Sequence, residues 1–368
     1  MNNKNSEPSE GLHPDPADLI EIEPSINIQL LKKLVGTSIT SSDQFDKDMV
    51  CEVSKLAALL ECHKMSDYNP LKGNIVITAF FEPSTRTRLS FESAVLRLDG
   101  KVISIPEGSK NTGVAKGESL SDIGEMMNSY ADAVVVRHTE SNAIYEILEN
   151  LRIPLINAGN GSAEHPTQAL ADWFAILKWK PELKRKPKSE EEKIHLGILG
   201  SPASMRSVHS FLKLSLLFKE NIKEISLISE LANPLGEELE ALLKNSGIPF
   251  TITNDMHKVI KDLDVIYMNS IAFLGDQYKS LDANFQLDEE SDLKKDAVVL
   301  HPLARLGELD PTLDKTNHNL YFTQAHGAVF VRQALFICVL NKFHKLPKHK
   351  KDEMKMDINL EELPKQKV

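Results

Sequence analysis

Cysteine is scarce in this chain of 368 residues: Cys51, Cys62 and Cys338 are its three. Odd in number and widely spaced, they form neither a disulfide framework nor a zinc-ligand cluster, so a reduced, cytoplasmic setting is expected. No run approaches the roughly 18 consecutive apolar residues of a membrane span, and residues 1–16 lack the apolar core of a signal peptide. A membrane is therefore not expected as a partner. Basic residues are outnumbered, 43 Lys and Arg against 53 Asp and Glu, and the formal charge of −10 argues against nucleic acid as the principal partner. Local basic pockets stay compatible with that average. A dinucleotide fingerprint is also missing: Gly197-Ile198-Leu199-Gly200 follows a strand-like run but lacks the full glycine spacing, which disfavours a nicotinamide cofactor.

Present instead are 41% hydrophobic residues, enough for the cores of two ordinary domains. Asn74 to Ala79 is a β-branched run that reads as a buried strand, and Leu89, Phe91, Val95 and Leu98 have the spacing of a helix buried on one face. Between them, Ser84, Thr85, Arg86 and Thr87 fall at a strand-to-helix turn. Ser84 or Thr85 can cap that helix, and its first-turn N–H groups, with hydroxyls and a guanidinium beside them, suit a phosphate dianion. On these residues alone, a capped helix with solvated arginines explains the stretch equally well.

Three motifs in order decide between the two. Ser84-Thr85-Arg86-Thr87-Arg88, His165-Pro166-Thr167-Gln168 and His301-Pro302-Leu303 resemble the signatures of the aspartate and ornithine carbamoyltransferases, over a reach of about residues 26–340. The aspartate branch is the nearer, because His301-Pro302-Leu303-Ala304 lacks the cysteine typical of the ornithine enzymes. The resemblance implies an enzyme of pyrimidine biosynthesis that transfers the carbamoyl group of carbamoyl phosphate to an amino-acid amine, L-aspartate first, without metal, cofactor or covalent intermediate. It implies an α/β fold of two doubly wound parallel-sheet domains joined by interdomain helices, in a homotrimer with shared sites.

Residue by residue, the resemblance puts the phosphate on Ser84, Thr85, Arg86, Thr87 and a neighbouring subunit's Lys116. Thr87, Arg137 and His165 face the carbonyl oxygen, Gln168 holds the carbamoyl amide, and Leu303 and Ala304 border the substrates. Arg206, in Arg206-Ser207-Val208-His209-Ser210, takes a carboxylate of the acceptor. The pattern departs where the acceptor's second carboxylate is normally held: Ser270 and Ala272 stand in place of an arginine and a glutamine, leaving Lys279 and Arg305 as the nearest replacement cations. A different amine acceptor and a non-catalytic carbamoyl phosphate-binding paralogue are the alternatives.

The expected organisation is a mobile tail over 1–23, a carbamoyl phosphate-binding domain over 24–166, completed by a C-terminal helix at 327–345, an acceptor-binding domain over 167–326, and a charged tail over 346–368. The charged run 180–192 is expected to be a solvated interdomain loop. Beyond it, strand-like and helix-like runs alternate at a spacing that implies a parallel, doubly wound sheet.

Overall fold

The computed structural model describes residues 11–22, 25–63, 65–106, 117–269, 271–274, 277–280 and 285–346. In its first half lie α1 (Pro16–Glu21), α2 (Ile28–Leu31), α3 (Lys47–Cys62), β1 (Ile75–Phe80), α4 (Thr85–Arg97) and β2 (Lys101–Ile105). These are followed by α5 (Leu120–Met127), β3 (Ala133–His138), α6 (Ala143–Leu148), β4 (Leu155–Asn160) and α7 (Pro166–Trp179). The second half holds β5 (Ile194–Leu199), α8 (Arg206–Leu217), β6 (Ile222–Ile228), α9 (Gly236–Ser246), β7 (Phe250–Thr253) and α10 (Met256–Val259). Then come β8 (Val265–Met268), β9 (Ile271–Leu274), β10 (Gln277–Ser280), β11 (Val298–Leu300) and α11 (Tyr321–Val339).

Two all-parallel sheets result, ordered β2-β1-β3-β4 and β11-β8-β5-β6-β7, with β9 and β10 paired as a separate antiparallel hairpin. The central strands, such as Val134-Val135-Val136, are apolar without alternation because helices cover both faces of a parallel sheet. The fold class is as the resemblance implied. α7 and α11 pack on each other, and α7 also touches α3 and β4 of the first half and α8 of the second. Both helices are therefore buried almost all round.

Three expectations need correction. Residues 11–22 are not a tail. Asp15 accepts from the Ala17 N–H to cap α1, Pro16 sits at its first position, and Leu19 is fully buried against α3. The charged run 180–192 is not wholly solvated either. Pro181 and Leu183 are buried, and Arg185 donates to the Ile22 carbonyl at 2.7 Å, because this segment is the surface on which the N-terminal residues lie. The C-terminal helix begins at Tyr321 and ends at Val339, rather than spanning 327–345. Buried almost all round, it shows no hydrophobic stripe from which its start can be read.

Candidate functional site

Each sheet has a point where consecutive connections run to opposite sides. In the first it lies between β1 and β3, in the second between β5 and β8. Crevices at the carboxyl ends of strands at such points are the usual ligand positions of open α/β sheets. The first motif, Arg137 and Arg206 lie there. The chain leaves β1 through Glu82-Pro83 and enters α4 with Ser84 at the N-cap, Thr85 and Arg86 exposed and Thr87 buried. Arg137, level with Phe80 in the register, is the penultimate residue of β3. Arg206 opens α8 after β5, and Asn269 directly follows β8, its Nδ2 donating to Ser207 Oγ at 2.8 Å.

Between these strand ends, one carboxylate joins the two halves. Glu82 accepts from Arg137 Nη2 at 3.0 Å and from Arg206 at 2.7 and 3.0 Å. Burial pushes the Glu82 carboxyl up, but Arg206 and Arg137 together outweigh it and hold the group below the ordinary carboxylate range. Arg206 Nη1 also donates to the Gly161 carbonyl at 2.6 Å, and Arg137 to Ala158 at 3.4 Å. The floor beneath both guanidiniums is the end of β4 and the turn that follows it. Gly159 has φ +115°, and a Cβ there would come within 3.1 Å of Arg206 Nε and 3.5 Å of Arg137 Nη1. Only glycine combines that backbone with that approach.

His165 is buried at the start of α7, its backbone N–H donating to Ser210 Oγ of α8 at 2.9 Å. Burial first, then repulsion from Arg137, Arg206 and Arg332, lowers its pKa well below the ordinary histidine value, so the ring is neutral at neutral pH. Its imidazole can donate one hydrogen bond without carrying charge. Gln168, one turn further, donates from Nε2 to Asp172 Oδ1 at 2.7 Å, which leaves its Oε1 as the acceptor. At the second sheet's edge, Leu303 N–H donates to His301 Nδ1 at 2.8 Å. The proton must then sit on Nε2, which donates to Glu308 at 3.0 Å. That pair holds the turn carrying Leu303 (φ 56°) and Ala304, whose shared peptide bond is cis.

Lys116 and Ser270 lie outside the described residues. Ala272 is in β9, opposite Lys279 of β10 in the hairpin register. Arg305 is engaged elsewhere: it forms a two-pronged pair with Asp314, 2.7 Å at Nη2, and lies over the rings of Tyr321 and Phe322. As a replacement cation for the acceptor it is thus already held by a carboxylate. Sequence reasoning missed Glu82, Asp172 and Gln324. Glu82 had a signal in its position, directly after a strand and before the hydroxyl-rich turn.

Two family models match the chain: the carbamoyl-P binding domain of aspartate/ornithine carbamoyltransferase over residues 37–178, and the Asp/Orn binding domain of the same family over 192–339. The chain is 34% identical over 311 residues to the aspartate carbamoyltransferase catalytic subunit of Pyrobaculum islandicum, covering 83% of this chain and 98% of that one. To the corresponding subunit of Thermococcus kodakarensis it is 36% identical over 308 residues, covering 82% and 96%. Among solved structures, aspartate transcarbamoylase from Trypanosoma cruzi in complex with carbamoyl aspartate and phosphate matches with a TM-score of 0.73 at 31% identity, over 84% of this chain and 98% of that chain.

Proposed function

The chain belongs to the aspartate/ornithine carbamoyltransferase family, and from that premise we propose that it transfers the carbamoyl group of carbamoyl phosphate to the amino group of L-aspartate, giving N-carbamoyl-L-aspartate and phosphate, in pyrimidine biosynthesis. The observation that carries this reading is the convergence of Arg137 and Arg206 on residues 158–161, with the Glu82 carboxylate already seated between the two guanidiniums and buried His165 close enough to feel both charges. Glu82 stands where a site made for anions and carboxylates would hold its substrates.

In this reading the half with the first sheet binds carbamoyl phosphate and the half with the second binds the acceptor. The phosphate docks on the first turn of α4, with Ser84, Thr85, Arg86 and Thr87, and on Lys116 of a neighbouring subunit. Arg137, Thr87 and neutral His165 donate to the carbonyl oxygen, Gln168 Oε1 accepts from the carbamoyl amide, and the Leu303–Ala304 turn borders the pair. Arg206 takes an acceptor carboxylate. The amine nitrogen attacks the carbonyl carbon, the C–N bond forms, the donors stabilise the oxyanion, and the bond to the phosphate oxygen breaks. Orientation and charge stabilisation carry the rate.

Shared sites require an oligomer, which the family resemblance makes a homotrimer, and an apolar edge supports an interface between copies. Leu89 and Leu96, one heptad apart on α4, are 54% and 60% exposed, and Ile103 on the edge strand β2 is 43% exposed. No helix among the described residues is long and apolar enough to cross a membrane. A cytoplasmic location remains part of the proposal.

Labelled carbamoyl phosphate and L-aspartate test the reading. Wild-type protein is expected to release phosphate and form carbamoyl aspartate, and Arg86→Ala is expected to lose turnover while keeping the wild-type circular dichroism. Undiminished turnover in that variant would overturn the site assignment. A second reading, a different amine acceptor, is favoured by the engagement of Arg305 with Asp314. Losing one partner of a buried charge pair costs roughly 2–5 kcal/mol, so aspartate should saturate weakly unless Lys279 takes the missing arginine's part. A screen of amines in the same assay separates the two.

A further inference from the structure

Beneath the site lies a buried acid that the proposed chemistry does not use. Asp172, on α7, is fully buried, and its Oδ1 accepts from both Gln168 Nε2 at 2.7 Å and Gln324 Nε2 at 2.5 Å. Gln324, on α11, in turn accepts the His301 backbone N–H on its Oε1 at 2.8 Å. His301 holds Leu303 through Nδ1. An unbroken hydrogen-bonded path of four links thus runs from Gln168 through Asp172 and Gln324 to the Leu303–Ala304 turn.

The chemistry of the path is directional. A glutamine amide can turn either end toward a neighbour, but an oxygen that only accepts admits its NH2 end. Asp172 therefore orients two amides at once. Gln168 is left with its carbonyl oxygen toward the site, where an NH2 group can donate to it. Gln324 is left with its carbonyl oxygen toward the His301 N–H, where the reversed amide would set donor against donor. Around the acid stand the Tyr267 hydroxyl at the end of β8, close to Asp172 and Ser207 but without a hydrogen bond of normal geometry, and the buried Arg332 of α11. Asp172 Oδ2 has no partner among the described residues.

We propose that Asp172 is a positioning residue for carbamoyl transfer: its single acceptor oxygen fixes the orientation of Gln168 toward the carbamoyl amide and, through Gln324, the position of the turn carrying Leu303 and Ala304. This rests on the reading of Gln168 as the contact to the carbamoyl amide, and the two can fail separately. The test is a double-mutant cycle on kcat/KM for carbamoyl phosphate in the full-length protein. Gln168→Ala and Asp172→Ala are each expected to lose about 10-fold or more, and the double variant to fall within about 3-fold of Gln168→Ala, because the acid acts mainly through that amide. A residue with a merely structural role would add its loss to that of Gln168→Ala. Asp172→Asn, which keeps an acceptor at Oδ1, is expected to recover activity to within about 3-fold of wild type. Additive losses in the cycle, or a loss of about 30-fold or more in Asp172→Asn, would overturn the inference. The Asn variant decides the matter even if Asp172→Ala does not fold. Wild-type kcat/KM in Gln168→Ala would instead overturn the reading of Gln168 and, with it, the ground of the inference.

Discussion

Glu82, His165 and Asp172 are three titratable groups within one crevice, and their surroundings drive them apart. Glu82 is held ionised by two arginines, whereas His165 is kept neutral by burial and by the same cations. Burial pushes the Asp172 carboxyl up to about 7, against the bonds it accepts from Gln168 and Gln324, the neighbouring Tyr267 hydroxyl and the cation Arg332. That shift makes a stability prediction. Between its ordinary value of 3.8 and about 7, Asp172 holds a proton in the folded protein that the unfolded chain has released. The native state binds more protons there, so the contribution of this group to stability is greatest below that window, falls as pH rises through it, and is level above it. Asp172→Asn lacks this slope. The melting temperature of the variant relative to wild type is expected to rise from pH 5 to pH 7 and to flatten beyond. A constant difference across that range would mean that the acid does not titrate there.

At the scale of elements, the site depends on helices that belong to neither sheet alone. α7 carries Gln168 and Asp172, with His165 as its N-cap, and α11 carries Gln324 and Arg332; their mutual packing brings a residue near position 170 within bonding distance of one near 320. α1 buttresses the same layer from outside through its contacts with α3 and α7. Its anchor is Leu19, fully buried. Truncating a buried leucine costs about 2–5 kcal/mol when the segment is packed as part of the core. Leu19→Ala is therefore expected to shift the urea midpoint of unfolding clearly downward. A variant that unfolds like wild type would return residues 11–22 to the status of a tail.

At the scale of the whole molecule, the exposed Leu89, Leu96 and Ile103 and the place of Lys116, shortly after β2 in the chain, converge on one prediction. Arg86→Ala and Lys116→Ala are each expected to be inactive, and mixed trimers of the two to regain part of the wild-type rate, since some sites then draw both residues from intact copies. Demonstrably mixed trimers without activity would count against sharing. The sequence by itself determined the second parallel sheet, because strand and helix periods alternate from residue 194 onward; the first followed from the resemblance carried by the three motifs. It also placed Ser84 to Thr87, Arg137 and Arg206 where a strand hands over to a helix, since a strand end is a short-range signal, while the roles proposed for them came from the motif resemblance. It did not determine which groups would meet. Glu82 lies 124 residues from Arg206, and Asp172 152 residues from Gln324. α1 escaped notice because a six-residue helix shows too little period, although Asp15-Pro16 ahead of Leu19-Ile20 marked its start. The limits of α11 escaped because a helix buried almost all round has too little polar face to betray its period. Only the tertiary structure decided that Arg305 belongs to Asp314 rather than to the site, and that one buried carboxylate orients two distant amides, since such pairings follow from how α7, α11 and the turn after β11 pack, and no local run of residues encodes that.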